Sequence, residues 1–389
     1  MNTKRILPTI VISQFCCTSL WFAGNAIIPD IIKEFHLTPA FLANLTSAVQ
    51  FGFIIGTLVF AVFTISDRFP PSRVFFLCAL IAGLFNLAIT IGGINSGEIL
   101  VFRFFTGFFL AGIYPVGMKI ASDYYQKELG KSLGFLVGAL VLGTAFPHLL
   151  KNITLDLPWK YVVYSTSMLS AFGGLFMWVL VPNGPFRKKS QQMNLRAFFL
   201  GFKNAHFRAA SFGYFGHMWE LYTFWAFLPV LLTAYKNQYS ENTFSIPLLS
   251  FLIIASGGLA CVFSGLLSQH FGPKKIATIS LCLSCLCCFI SPVFILNSSF
   301  FVLLIFLFFW GMVVVADSPL FSTLVAQNAP EESRGTSLTI VNCIGFFITI
   351  LSIQSMKIIS EHLQIKFMYM FLAIGPVLGL IALLKNRDN

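Results

Sequence analysis

Two acidic residues, Glu220 and Asp317, stand in stretches of this 389-residue chain that are otherwise apolar, and acids in such places can carry protons. A charged side chain at the centre of a bilayer costs about 2.5 kcal/mol or more. Removal from water favours the protonated form of a carboxyl group, which is the property that a proton carrier needs. His217 lies one turn before Glu220 on the same face of a helix. The three side chains therefore predict proton binding inside a membrane.

Each acid also has a structural interpretation. Glu220 could be paired permanently and fix the crossing of two helices. Asp317 directly precedes Ser318-Pro319, so its carboxylate could satisfy the backbone groups that a proline kink frees. Both interpretations stay open at the level of the sequence.

The sequence offers no residue pattern typical of an enzyme or a metal protein. His217-Met-Trp-Glu220 has no second histidine, which the zinc protease motif requires. Cys282 and Cys285 lie in an apolar run without a neighbouring histidine or carboxylate, which favours helix packing over metal binding. We therefore predict no catalytic residue, no metal and no cofactor.

Two basic residues of the fourth apolar stretch, Arg103 and Lys119, bear on the substrate of such a protein. Cationic groups that face a cavity favour an anion, organic or inorganic, although Lys119 lies near the end of its stretch and could extend to the membrane surface instead. A binding cavity also needs polar and aromatic side chains. The candidates for the cavity are Trp21, Asn25, Gln50, Arg103, Tyr114, Lys119, Trp219, Tyr222 and Trp225.

The composition explains where these residues lie. Hydrophobic residues make up 57% of the chain and charged residues only 10%, whereas about a quarter of the residues in a soluble domain are charged. A helix needs about 20 apolar residues to cross the hydrocarbon core of a bilayer. Twelve stretches have this length, which predicts an all-α polytopic membrane protein with twelve transmembrane helices. The stretches, numbered spans 1 to 12, are 6–28, 41–63, 74–94, 98–122, 131–151, 161–181, 209–234, 246–268, 276–297, 299–326, 335–357 and 364–384.

A basic linker, residues 183–207, separates spans 6 and 7 and contains no acid. Between apolar segments, such a run indicates a cytoplasmic loop under the positive-inside rule rather than a nucleic-acid-binding segment. We therefore predict helix bundles over 1–182 and 208–389, in the inner or plasma membrane, with both termini cytoplasmic. The basic residues of the linker are Arg187, Lys188, Lys189, Arg196 and Lys203.

The two halves of the chain repeat each other. The segment 66–73 after span 2 aligns with 268–275 after span 8. Gly107 and Pro115 in span 4 have the same separation as Gly311 and Pro319 in span 10, which is one further match at nearly the same offset. These matches predict two parallel six-helix repeats.

These features resemble those of the major facilitator superfamily of secondary transporters. The turn with Asp67-Arg68 after span 2, its repeat after span 8 and the Arg103-Phe-Phe-Thr-Gly107 element of span 4 are similar to family motifs. The repeat departs from the family pattern, because Gln269 replaces its acid. The segments 214–225 and 310–319 bear a weaker resemblance to a bacterial subgroup related to cyanate and nitrate porters.

The resemblance implies a transporter that moves a small molecule through the lipid bilayer by alternating access. We expect a monomer, and the buried acids Glu220 and Asp317 predict protons as the coupling ion. In the family, the position of Arg103 is often linked to proton coupling. Efflux of drugs or siderophores is an alternative to uptake. A channel is the alternative outside the transporter class, but repeats with kinking Gly and Pro residues favour two halves that move against each other.

The resemblance also implies a conformational latch. In the family, the acid at Asp67 binds the N-terminus of span 11, where free backbone N–H groups favour an anion. In this chain, span 11 begins near Arg334 and Gly335. The alternative is that Asp67, Arg68 and Arg73 are ordinary charges of a loop, since exposed ion pairs often have little effect.

Overall fold

All regular structure in the described part of this computed structural model is helical, and the chain divides into two compact units, Met1–Gln192 and Met193–Asn389. The boundary falls inside the predicted linker, whose residues 188–197 and 200 lie outside the described residues. The structure describes residues 5–125, 129–187, 198–199, 201–241, 243–295, 298–331 and 334–385, without the side chains of 129–131.

The first unit contains spans 1 to 6. Span 1 is divided into three helices, and spans 2 and 4 into two each. The helices of this unit are Ile6–Thr18, Ala23–Ala26 and Ile28–Glu34 (span 1), Phe41–Val62 and Ile65–Arg68 (span 2), Pro71–Ala88 (span 3), Ser96–Leu110 and Tyr114–Tyr124 (span 4), Leu129–Ile153 (span 5) and Lys160–Leu180 (span 6).

The second unit contains spans 7 to 12. Span 10 consists of two helices, and span 12 contains a short 3₁₀ segment. The helices of this unit are Ala205–Gln238 (span 7), Ile246–Phe271 (span 8), Pro273–Phe294 (span 9), Phe300–Ala316 and Ser318–Asn328 (span 10), Arg334–His362 (span 11), and Ile365–Met368, Tyr369–Ala373 and Ile374–Lys385 (span 12).

The twelve spans are those of a multi-pass membrane protein. Ten helical stretches among the described residues are long and apolar enough to cross a membrane. The other two spans are span 1, whose longest piece is the apolar 13-residue helix Ile6–Thr18, and the 34-residue span 7. Large apolar side chains such as Phe301 and Val179 are about two-thirds exposed, as lipid contact requires.

Spans 4 and 10 break at equivalent places. Span 4 is interrupted at residues 111–113, before Pro115, and span 10 is interrupted at Asp317, before Pro319. Proline lacks a backbone N–H group and clashes with the preceding turn, so each proline opens a second helix instead of continuing the first. The breaks therefore follow the sequence repeat.

A glycine in each broken span allows close packing against a neighbouring span. A Cβ atom on Gly107 would lie 2.0 Å from the carbonyl oxygen of Val49 in span 2. A Cβ atom on Gly311 would lie 2.6 Å from the carbonyl oxygen of Ile253 in span 8. Small residues permit such close contact between helices in lipid, where the hydrophobic effect does not drive their association. The two units thus use the same packing device.

Candidate functional site: buried charges of the membrane spans

Glu220 of span 7 is buried and connects three spans. Its Oε1 atom accepts hydrogen bonds from Ser284 Oγ at 2.5 Å, Trp310 Nε1 at 2.7 Å and Cys288 Sγ at 3.2 Å. Ser284 and Cys288 belong to span 9, and Trp310 belongs to span 10. Because Oε1 already accepts three hydrogen bonds, a proton would bind the other oxygen of the carboxyl group. The contact between spans 7, 9 and 10 can therefore persist when Glu220 is protonated.

Asp317 forms a second buried contact between spans 7 and 10. Its Oδ1 atom lies 2.8 Å from Nδ1 of His217, and both side chains are 1% exposed. The Asp317 side chain does not cap the helix that follows it. Of the two sequence interpretations, the geometry therefore favours a partner on another span over the satisfaction of freed backbone groups. The pair can hold or release a proton, since the imidazole is charged only when it is protonated.

Neither acid is matched by a fixed cation within the part of the chain that the structure describes. The ion pairs there join Lys119 to Asp67, Lys151 to Asp30 and Arg334 to Glu331, besides the contact of His217 with Asp317. Buried charges are normally paired or neutralised, because desolvation of an unpaired ion is expensive. Neutralisation by a proton is therefore available to Glu220 and Asp317.

Arg103 occupies the corresponding place in the first unit. Its Nη2 atom donates to the carbonyl oxygens of Leu20 at 3.0 Å and Trp21 at 2.6 Å, and its Nη1 atom donates to Asn86 Oδ1 at 2.9 Å. Leu20 and Trp21 lie in the break of span 1, where the sequence predicted a continuous helix. Backbone carbonyls freed inside a membrane need a donor from the protein, and Arg103 supplies it. The side chain is 0% exposed.

The two charged clusters follow the internal repeat. Arg103 and Asn86 join spans 1, 3 and 4, and Glu220 with Cys288 and Trp310 joins spans 7, 9 and 10. The sequence analysis missed Asn86, Ser284, Cys288 and Trp310 as partners. The repeat could have indicated one of them, because Cys288 follows Asn86 by 202 positions, as Ser268 follows Ser66.

The predicted latch residue Asp67 has its partners within the first unit. Its carboxylate pairs with Lys119 of span 4, which is 23% exposed, and Arg187 Nη2 donates to the Asp67 carbonyl oxygen at 2.7 Å. Arg68 Nε donates to Thr64 Oγ1 at 3.1 Å, and Arg73 is exposed. In the second unit, Arg334 and Gly335 are exposed at the start of span 11. Lys119 is thus held by an acid at the end of span 2.

Three of the predicted cavity residues, Trp21, Asn25 and Gln50, form one group on spans 1 and 2. Asn25 Nδ2 donates to Thr46 Oγ1 at 2.7 Å, and the Trp21 and Phe53 rings lie 4.9 Å apart. Gln50 lies one turn after Thr46 on the same helix, so it belongs to this group. Tyr114 is buried where the second helix of span 4 begins.

The predicted cavity residues of the second unit point in different directions. Trp219 Nε1 donates to the Phe371 carbonyl oxygen in span 12 at 3.2 Å. The ring of Tyr222 lies 5.3 Å from both Trp225 and Phe346, the latter in span 11. Span 7 therefore presents Trp219 to one neighbouring span and Tyr222 to another. No group of three or more His, Cys, Asp or Glu side chains that could hold a metal ion occurs among the described residues.

A comparison with protein families decides the class of the protein. The family model described as Major Facilitator Superfamily matches residues 10–353. The chain belongs to the major facilitator superfamily. It is therefore a multi-pass membrane protein of a transporter superfamily and not an enzyme, and its fold is that of this superfamily.

Transporters named for different substrates resemble the chain. The niacin transporter NiaP of Acinetobacter baylyi is 30% identical over 173 residues, which cover 38% of each chain. The multidrug transporter mdrA of Aspergillus fumigatus is 27% identical over 176 residues, 44% of this chain and 28% of that protein. The chain thus spans well under half the length of these two relatives.

Solved structures of the superfamily share the fold over the whole length. The xylose transporter XylE from E. coli, in a partially occluded inward-open conformation, superposes with a TM-score of 0.76 and covers 98% of this chain and 97% of that chain. The sequence identity is 12%, so this likeness concerns the fold alone.

Proposed function

We propose that this major facilitator is a proton-coupled secondary transporter that carries a small polar molecule across the cytoplasmic membrane by alternating access. The observation that supports proton coupling is the set of two buried carboxylates and one histidine on spans 7 and 10, with no lysine or arginine paired to either acid among the described residues. Acids in such surroundings are stable when a proton neutralises them for part of the cycle. Glu220 is the principal carrier and Asp317 with His217 the second.

The two cations behind the anion prediction are largely occupied by groups of the protein. Arg103 directs both Nη atoms to carbonyl and amide oxygens, and Lys119 is paired with Asp67. Of their donor groups, we assign only the unpartnered Nε atom of Arg103 to contact with a substrate. The proton, rather than a fixed ion pair with the substrate, supplies the charge that moves in each cycle.

Proton movement can test the proposal before the substrate is identified. The protein would be reconstituted in liposomes loaded with a pH-sensitive dye, and nicotinate, nicotinamide, xylose and ethidium would be added in turn. A transported compound should change the lumenal pH, and the sign of the change separates uptake with protons from exchange for protons. Transport of a compound without any pH change would overturn proton coupling.

The same proposal places both termini and the linker in the cytoplasm, in a protein that works as a monomer of 43.3 kDa. A single cysteine introduced near Lys188 should react with a membrane-impermeant maleimide only after the cells are opened. Labelling from outside intact cells would contradict the proposed topology. Light scattering on the purified protein would check its mass.

Asp67 is proposed to stabilise the conformation that is closed to the cytoplasm, in line with its place in the family motif. In the family this acid binds the N-terminus of span 11, so Asp67→Asn, which removes the charge, should favour inward opening and slow transport. Gln269→Ala, at the repeated position, is the matched control and should have much less effect, because Gln269 carries no charge. Conformation-dependent crosslinking measures both, and equal effects of the two substitutions would contradict the proposed asymmetry.

A further inference from the structure

Gln50 of span 2 carries a buried amide without a visible partner. The residue is 0% exposed, and neither its Oε1 nor its Nε2 atom has a hydrogen-bond partner in the described ranges of the chain. Asn25 is 3% exposed, and its Oδ1 atom also has no hydrogen-bond partner among the described residues. Buried polar side chains are nearly always hydrogen-bonded, and exceptions point to a ligand or ordered water.

Both amides neighbour Thr46. Asn25 Nδ2 donates to Thr46 Oγ1 at 2.7 Å, and Gln50 follows Thr46 by one turn of the continuous helix Phe41–Val62. Side chains four residues apart on a helix are neighbours, with about 5–6 Å between their Cβ atoms. The rings of Trp21 and Phe53, centred 4.9 Å apart, lie one turn further along spans 1 and 2. We call Asn25, Thr46 and Gln50 the amide site.

The hydrogen-bond pattern fixes the orientation of Asn25. The hydroxyl group of Thr46 donates its single proton to the Leu42 carbonyl oxygen at 2.8 Å. Thr46 Oγ1 must therefore accept the hydrogen bond from Asn25, so the amide nitrogen of Asn25 faces Thr46. The Oδ1 atom that remains can only accept. A ligand at this position has to bring a hydrogen-bond donor.

This requirement separates classes of substrate. A hydroxyl or N–H group of the substrate can donate to Asn25 Oδ1. The Gln50 amide can both donate to the substrate and accept from it. A bare inorganic anion such as cyanate or nitrate brings acceptors only and would leave Asn25 Oδ1 unsatisfied. Arg103 directs its Nη atoms to backbone carbonyls and Asn86, but its Nε atom, which lies near Gly24, has no hydrogen-bond partner among the described residues. A ligand that carries an acceptor beside its donor, as a hydroxyl or carboxamide group does, would satisfy this N–H group as well.

We propose that the amide site binds an organic substrate that carries a hydroxyl or carboxamide donor, and that Asn25 and Gln50 select for this donor. The inference rests on the proposed transport function but concerns binding alone. It excludes the inorganic anions that the resemblance to cyanate and nitrate porters suggested.

A thermal-shift screen of the purified protein tests the selection. The probes are nicotinamide, xylose and further hydroxyl or amide compounds, each with an analogue whose donor is methylated, together with cyanate and nitrate. At least one donor-bearing compound should raise the Tm, and its methylated analogue should bind about tenfold more weakly or worse. A Tm increase with cyanate or nitrate, or no increase with any donor-bearing compound, would overturn the proposal.

Two variants test the site without depending on transport. Gln50→Met should abolish the ligand-induced shift but leave the Tm of the ligand-free protein unchanged or higher, because it removes an unpaired amide. Asn86→Leu is the control, since Asn86 binds Arg103, Thr166 and Ser167 and its loss should lower the Tm. A Gln50→Met protein that still binds the ligand, or that loses as much stability as Asn86→Leu, contradicts the proposal. Binding without proteoliposome transport would count against the proposed function only.

Discussion

Glu220→Gln is expected to abolish the accumulation of substrate driven by a pH gradient while substrate exchange across the membrane stays largely intact. The glutamine carbonyl can still accept hydrogen bonds from Ser284 and Trp310, so spans 7, 9 and 10 should remain together. The amide imitates the protonated acid, and it cannot release a proton. Exchange does not pass through the empty, deprotonated return step and therefore does not need that release.

The measurement uses proteoliposomes and a compound found by the proton-movement screen. Glu98→Gln is the matched control: Glu98 is an exposed acid that caps the first helix of span 4, a role that glutamine also fills, so accumulation should be retained. Asp317→Asn tests the second carrier in the same assay. If Glu220→Gln still accumulates substrate in response to a pH gradient, Glu220 is a structural acid that fixes the crossing of its three spans.

Arg103→Leu is expected to lower the thermal stability of the protein strongly and to abolish every mode of transport. The substitution leaves the carbonyl oxygens of Leu20 and Trp21 and the amide oxygen of Asn86 buried without this donor. A hydrogen bond from a charged group contributes about 1.5–3 kcal/mol, so the loss of three should cost about 4 kcal/mol or more. Arg103→Lys keeps the charge, but a single ammonium group does not reproduce the planar fork that reaches these oxygens. Its stability should be intermediate.

Arg208→Leu is the control for Arg103. Arg208 also donates to two backbone carbonyls, those of Phe202 at 2.7 Å and Lys203 at 3.1 Å, but it is exposed, so water can replace it. Its removal should change the Tm little. Thermal unfolding of the purified variants measures whether Arg103 is needed for stability. An Arg103→Leu protein with a wild-type Tm and a defect only in proton-driven accumulation would make Arg103 a coupling residue, as its position in the family suggests.

Several features of the fold could be predicted from the sequence because the bilayer allows few solutions. A membrane span must be helical and about 20 residues long, so composition and length gave the twelve spans. Proline cannot continue a helix, and the repeated Pro115 and Pro319 marked the breaks of spans 4 and 10. The cost of buried charge singled out Arg103, Glu220 and Asp317.

The partners of those charges were decided by the tertiary structure alone. Glu220 takes its donors from residues 64 to 90 positions away, and the order of residues along a helix does not say which neighbour each face meets. Arg103 donates to carbonyl oxygens in the break at residues 19–22 of span 1, which contains no proline or glycine, and the sequence predicted a continuous helix there. From the sequence, Lys119 could have faced a cavity or the membrane surface. In the structure it forms an ion pair with Asp67 at the end of span 2. Sequence thus located the buried charges through the cost of desolvation, whereas only packing could bring to each one the distant group that offsets this cost.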